Sequence, residues 1–79
     1  MELEIITPER ELFKGEVKSV KLPGTNGGFE VLNNHAPIIS TLTKGMIRVT
    51  TNKKEESREF EISGGVIEMQ ENKIIVLAQ

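Results

Sequence analysis

Turn-forming residues interrupt this chain so often that no element in it can be long. Gly, Pro and Asn recur at close intervals, and the stretches between them are short and rich in Val, Ile, Thr and Phe. That spacing points to an all-β sandwich or barrel of brief strands joined by tight reversals. Strands are expected near 2–6, 11–13, 16–22, 28–32, 37–43, 45–51, 57–63, 66–70 and 73–78. Turns are expected at Pro23-Gly24-Thr25-Asn26-Gly27, at Thr51-Asn52-Lys53-Lys54-Glu55 and at Glu71-Asn72-Lys73. No segment carries a helical period, and Pro8-Glu9-Arg10-Glu11 can make one turn at most.

The alternation within strands indicates which side chains turn inward. Ile47 and Val49 oppose Met46, Arg48 and Thr50, and Phe60 and Ile62 oppose Glu59 and Glu61, as in half-buried antiparallel strands. The run 16–22 breaks this rule, because Val17 to Val20 is an odd step and Val20 to Leu22 an even one. One extra residue near Lys18-Ser19, a β-bulge, would return both valines to the same face. The run Ile74-Ile75-Val76-Leu77-Ala78 is apolar on both faces, and Pro37-Ile38-Ile39 and Val66-Ile67 lean the same way. Either neighbouring strands or the chain end crowd over these residues, or they form an exposed patch that docks on a partner.

Composition narrows the function classes. A chain of 79 residues makes one domain with a thin core, burying only ~60% of the surface its unfolded form exposes. Without cysteine it has neither disulfides nor thiolate metal sites. Ten basic against twelve acidic residues, a formal charge of −2, argue against nucleic acid, which calls for a basic stripe. Three phenylalanines and no tyrosine or tryptophan give no stacking platform for bases, which also disfavours a small OB-type binder. No apolar run approaches the ~20 residues that span a bilayer, and residues 1–10 show no signal peptide.

The motifs of catalysis are missing. There is no Gly-x-x-x-x-Gly-Lys-Ser/Thr phosphate loop and no Gly-x-Gly-x-x-Gly after a strand. Gly24 to Gly28 is glycine-rich but has no following helix to hold phosphate, so it reads as a hairpin loop. His35, the sole imidazole, has no activated serine in an elbow motif and no second metal ligand beyond Glu30. It reads as a residue ordering the loop before Pro37, which biases Ala36 to extended geometry. Gly64-Gly65 permits a sharp crossing or a close approach of another backbone, a partner's included. Neither a catalytic, a cofactor-binding nor a metal-ligating residue is assigned. One rival reading is a biotinyl- or lipoyl-type carrier domain, all-β and of similar length, with Lys53-Lys54 at a hairpin tip. Asn52 and Glu55 stand where such a lysine usually has Met or Asp beside it.

A set of landmarks runs along the whole chain in order: Leu3-Glu4-Ile5-Ile6-Thr7-Pro8, Leu12-Phe13-Lys14-Gly15-Glu16-Val17, Leu22-Pro23-Gly24, Gly27-Gly28-Phe29 to His35-Ala36-Pro37, Gly45-Met46-Ile47-Arg48-Val49, Phe60-Glu61-Ile62-Ser63-Gly64-Gly65, Glu68 and Val76-Leu77-Ala78. Each piece is weak alone, but their order and spacing resemble the epsilon subunit of F-type ATP synthases. The resemblance implies a flattened β-sandwich of two five-stranded, mainly antiparallel sheets. It implies a non-catalytic rotor subunit in the central stalk of F1, linking gamma to the polar loops of the c-ring. Such a subunit couples proton-driven rotation to ATP synthesis at the cytoplasmic face of a bacterial inner membrane. It is peripheral, meets the membrane only through the complex, and needs no cofactor.

By the same resemblance Gly28, Phe29, Glu30, Val31, Leu32, Asn33 and Asn34 face the c-ring, and His35, Ser40, Ser63 and Gly64 lie towards gamma. Phe29 and Val31 share one strand face and Glu30 the other. The family often has a second glycine where this chain has Glu30, which adds a charge to the segment. Many relatives continue past the position of Gln79 into a carboxy-terminal helical hairpin that restrains ATP hydrolysis and in some binds ATP. The expectation is a single domain over residues 1–79 without that hairpin, so neither property is carried over.

Overall fold

The computed structural model describes residues 1–53 and 56–79, and these form eight strands. In chain order they are β1 (Glu2–Ile6), β2 (Glu11–Leu22), β3 (Phe29–Leu32), β4 (Ile38–Leu42), β5 (Gly45–Thr51), β6 (Ser57–Ile62), β7 (Gly65–Gln70) and β8 (Lys73–Ala78). No helix occurs among the described residues; 7–10 form only a tight turn, with the Thr7 hydroxyl accepting from the Arg10 amide at 3.1 Å. The strands expected at 11–13 and 16–22 are one. Gly15 does not interrupt β2: it stays extended opposite Leu3, and the space of its missing side chain is bordered by the Phe13 ring, 3.6 Å from where a Cβ would sit.

The length of β2 organises the molecule. Its first half pairs with β1 and its second half with β3 and β5. One sheet therefore runs β4-β7-β8-β1-β2 and the other β3-β2-β5-β6. The expected sandwich is present, with five strands in one sheet and four in the other because β2 serves both. All pairs are antiparallel except β1 with β8, which is parallel. The expected bulge sits where β2 changes sheets: Val17 pairs with Thr51 and Ser19 with Thr50, leaving Lys18 as the extra residue. Val17 and Val20 are both buried, and a bulge bends the strand at the point where such a bend is needed.

The inner faces then mesh. Leu3 and Ile5 of β1, Ile67 and Met69 of β7, and Ile74 and Val76 of β8 pack against Val20, Leu22, Val31, Ile47 and Val49 of the other layer. Each such side chain gains roughly 1.5–3 kcal/mol on full burial. At the open seam beside β6, Phe13 and Phe60 meet edge-to-face with centroids 5.9 Å apart. The Arg58 guanidinium lies over both rings, 5.4 and 5.1 Å from their centroids. The layers are closed there by a cation on aromatic faces rather than by more aliphatic core.

Candidate functional site

The segment expected to face the ring is an edge strand with a turn at each end. β3 pairs only with β2, Phe29 opposite Leu22 and Leu32 opposite Ser19, which puts Gly28 and Asn33 at opposite ends of the strand. The period of two divides its side chains as expected. Val31 is fully buried and Phe29 half-buried against the core, while Glu30 and Leu32 point outward, Leu32 with 54% of its surface exposed. Val31 therefore has no surface to offer a partner; its part is to pin the strand. Gly28, Glu30, Leu32, Asn33 and Asn34 are the exposed members of the set.

Asn33 and Asn34 belong to a polar knot that joins three parts of the chain. The Asn34 amide donates to Asn72 Oδ1 at 2.7 Å, and Asn72 Nδ2 donates to Asn33 Oδ1 at 2.9 Å. The same Oδ1 accepts from the Met1 ammonium at 3.1 Å, and that ammonium also reaches the Val17 carbonyl at 3.2 Å. Asn34 (φ 63°), Glu71 (φ 50°) and Asn72 (φ 61°) are left-handed. Asn tolerates this conformation; Glu pays for it in strain. The β3–β4 loop and the β7–β8 turn thus act as one unit. Asn72 was legible in the sequence as a turn residue, but nothing local showed that its side chain holds a loop far away in sequence.

The four residues expected towards gamma do not share one spot. His35 is exposed in the loop before β4, its amide donating to the Leu32 carbonyl at 3.1 Å and its Nδ1 to the Ala36 carbonyl at 2.8 Å. This is the loop-ordering role expected of it. Ser40 sits on β4 opposite Ile67 and turns towards the core side. Ser63 and Gly64 lie at the other end of that strand, beside an open groove of about 490 Å³ that Thr25, Thr41, Val66 and Gln79 also border. Ser63 is exposed and Gly64 buried. The close backbone approach expected at the glycine pair falls on Gly65 and involves this chain's own β8. A Cβ at Gly65 would press on the Leu77 carbonyl oxygen and lie 3.0 Å from Ala78 Cα, whereas one at Gly64 would find Leu42 O at 3.5 Å.

The structure assembles one surface from the strands that read as apolar on both faces. On the outer face of the five-stranded sheet, Thr41 stands opposite Val66, Val66 opposite Leu77, and Leu77 opposite Ile6. Ile39, Val66 and Leu77 expose 81%, 42% and 52% of their surface, so crowding does not explain these strands. The row ends beside Ser63 and the groove. Ile39 and Leu77 were not named as contact residues from the sequence, although the two-faced pattern was the signal for them. No group of three or more His, Cys, Asp or Glu able to hold a metal occurs among the described residues. Lys53 is exposed; Lys54 and Glu55, the rest of the hairpin tip considered for a carrier lysine, lie outside the described residues.

The family described as "ATP synthase, Delta/Epsilon chain, beta-sandwich domain" matches residues 1–79. The chain is 42% identical over 77 residues to the ATP synthase epsilon chain of Chlorobaculum tepidum, covering 98% of itself and 86% of that relative. It is 43% identical over 76 residues to the epsilon chain of Desulfitobacterium hafniense, of which it spans 56%. Among solved structures, a chain of the Tetrahymena thermophila mitochondrial ATP synthase central stalk and c-ring matches with a TM-score of 0.83 at 18% identity, covering all of this chain and 63% of that one. A chain of the Euglena gracilis mitochondrial ATP synthase matches with a TM-score of 0.87 at 19% identity, covering 96% of this chain and 48% of that one. At such identities the structural matches speak for the fold.

Proposed function

The chain belongs to the ATP synthase delta/epsilon chain family, and we propose that it works in the central stalk of the rotor, seated on gamma and resting on the polar loops of the c-ring. It is a non-catalytic subunit whose task is to transmit rotation, so that proton flow through the ring drives ATP synthesis in the head. The family membership displaces the carrier-domain reading.

The observation that carries the docking is the exposed apolar row of Val66 and Leu77, with Ile39 standing beside it in the next row. A soluble sandwich ordinarily alternates polar residues on its outer face, and a contiguous apolar strip there is a surface awaiting a cover. Ser63 borders the strip and joins the gamma contact with it, and His35 and Ser40 flank the same sheet along β4. The ring contact falls to the exposed parts of 28–34, with Glu30 and Leu32 on the outer face of β3 and Asn33 and Asn34 at its end. We place the subunit at the cytoplasmic face of the bacterial inner membrane. No helix among the described residues is long and apolar enough to cross a membrane.

The test is co-purification from membranes. Ile39→Ser with Leu77→Ser should release the chain from gamma while its thermal midpoint stays close to that of the parent, since both side chains are exposed. Retention on gamma by the double variant would overturn the docking face. Cysteine cross-linking from position 30 or 33 in the assembled enzyme tests the ring contact: linkage to c supports it, and linkage only to gamma or to the catalytic head refutes it.

A further inference from the structure

The outer face of the five-stranded sheet is zoned by charge as well as by hydrophobicity. Beside the apolar row runs a second, in which Ile39 stands opposite Glu68, Glu68 opposite Ile75, Ile75 opposite Glu4 and Glu4 opposite Lys14. A third row holds Gln70, Lys73, Glu2 and Glu16. With Glu11, opposite Ile6 at the end of the first row, the face carries five carboxylates against two lysines, an excess of three negative charges. The whole chain has a formal charge of only −2, so this one face holds its entire negative excess.

The other sheet is built differently. Its outer face carries the row Glu30, Lys21, Arg48, Glu59, two acids and two bases, with Arg48 and Glu59 paired at 2.8 Å, and in the next row Glu61 opposite Met46, an excess of one negative charge. The first of these rows is balanced within itself. The acidic face is not: Glu2 stands directly opposite Glu16, a like-charge pair that disfavours the sheet. Lys73 lies 3.7 Å from both Glu2 and Glu4 and offsets part of this, while Glu68 makes no ion pair among the described residues.

Resting on the reading that this face seats gamma, we propose that the covering surface of gamma is cationic and amphipathic: an apolar strip that meets Val66 and Leu77, flanked by lysine or arginine side chains lying opposite Glu16 and Glu68, both exposed. The apolar row supplies contact area with little direction. The carboxylate rows to one side of it fix the register, because sliding the partner across the sheet would carry its cations over Val66 and Leu77 and strand them there. They also steer the approach of a basic partner from solution.

The experiment measures binding of the full chain to purified gamma at about 0.1 M and about 1 M salt, over which the Debye length falls from ~10 Å to ~3 Å. The wild-type chain should bind several-fold more weakly at high salt, chiefly through slower association. Glu16→Gln with Glu68→Gln should weaken binding by roughly tenfold at low salt and remove most of the salt dependence, with the thermal midpoint not lowered, since both side chains are exposed and make no ion pair among the described residues. Ile39→Ser with Leu77→Ser should weaken binding at both salt concentrations. Binding that ignores salt, or that the two glutamine substitutions leave intact, overturns the cationic partner while the docking face stands. Failure of the wild-type chain to bind gamma at either salt concentration overturns the docking face and this inference together.

Discussion

Gly65→Ala separates a conformational constraint from a packing one. Gly64 and Gly65 have nearly the same backbone, φ 152° and φ 153°, in a region that side chains rarely adopt. Alanine at either position therefore meets a conformational cost of about 1–3 kcal/mol. Their surroundings differ. At Gly64 the new methyl would find ordinary contacts, 3.5 Å from Leu42 O and 3.8 Å from Gln79 Oε1. At Gly65 it would collide with the Leu77 carbonyl oxygen and stand 3.0 Å from Ala78 Cα, so β7 and β8 must part where Gly65 pairs with Ala78. Overpacking of this kind adds about 1–3 kcal/mol. At ~0.05–0.15 kcal/mol per residue, a domain of this size has only about 4–12 kcal/mol in all. Gly65→Ala should then take roughly 2–6 kcal/mol of it, and Gly64→Ala about half as much. In a domain of 60–100 residues each kcal/mol lowers the thermal midpoint by ~4–8 °C, so the two variants should differ by at least several degrees in circular dichroism melts. A Gly65→Ala midpoint equal to or above that of Gly64→Ala would refute the close approach and leave backbone conformation as the whole reason for the pair.

Val31→Ala should destabilise the domain by about 1–3 kcal/mol in urea unfolding, because its side chain is fully buried, whereas Leu32→Ala next to it should stay within about 0.5 kcal/mol. Asn72→Gly keeps the left-handed turn at φ 61° but removes both side-chain bonds to the β3–β4 loop; amide exchange at Asn34 should speed up markedly while strand amides in β7 and β8 keep their protection. Glu30→Lys should loosen ring coupling only modestly, since an exposed ion pair contributes ~0–1 kcal/mol, and proton pumping driven by ATP hydrolysis in reconstituted vesicles reads that change. Titration of the isolated chain with ATP in a calorimeter should give no micromolar binding, as no phosphate loop is present in the sequence.

Local pattern carried most of the fold. The spacing of turn residues and the period-two alternation placed the strands, and the odd step from Val17 to Val20 located the bulge before any pairing was known, because each depends only on neighbours in the chain. The order of landmarks from Leu3 to Ala78 likewise sufficed for the family. What needed tertiary structure was everything that depends on which strands become neighbours. Gly15 looked like a break because its role as room for a ring is set by Phe13 and the pairing with β1. The resemblance counts Val31 among the ring contacts, and only the packing of β3 over the core shows that its face is covered. Gly64 and Gly65 looked equivalent until β8 was laid against one of them. The apolar row of Val66, Leu77 and Ile6, the excess of carboxylates around it and the hold of Asn72 on Asn33 and Asn34 join residues from distant parts of the chain. They exist only once β1 and β8 lie in parallel between β2 and β7, and a linear pattern holds no record of that adjacency.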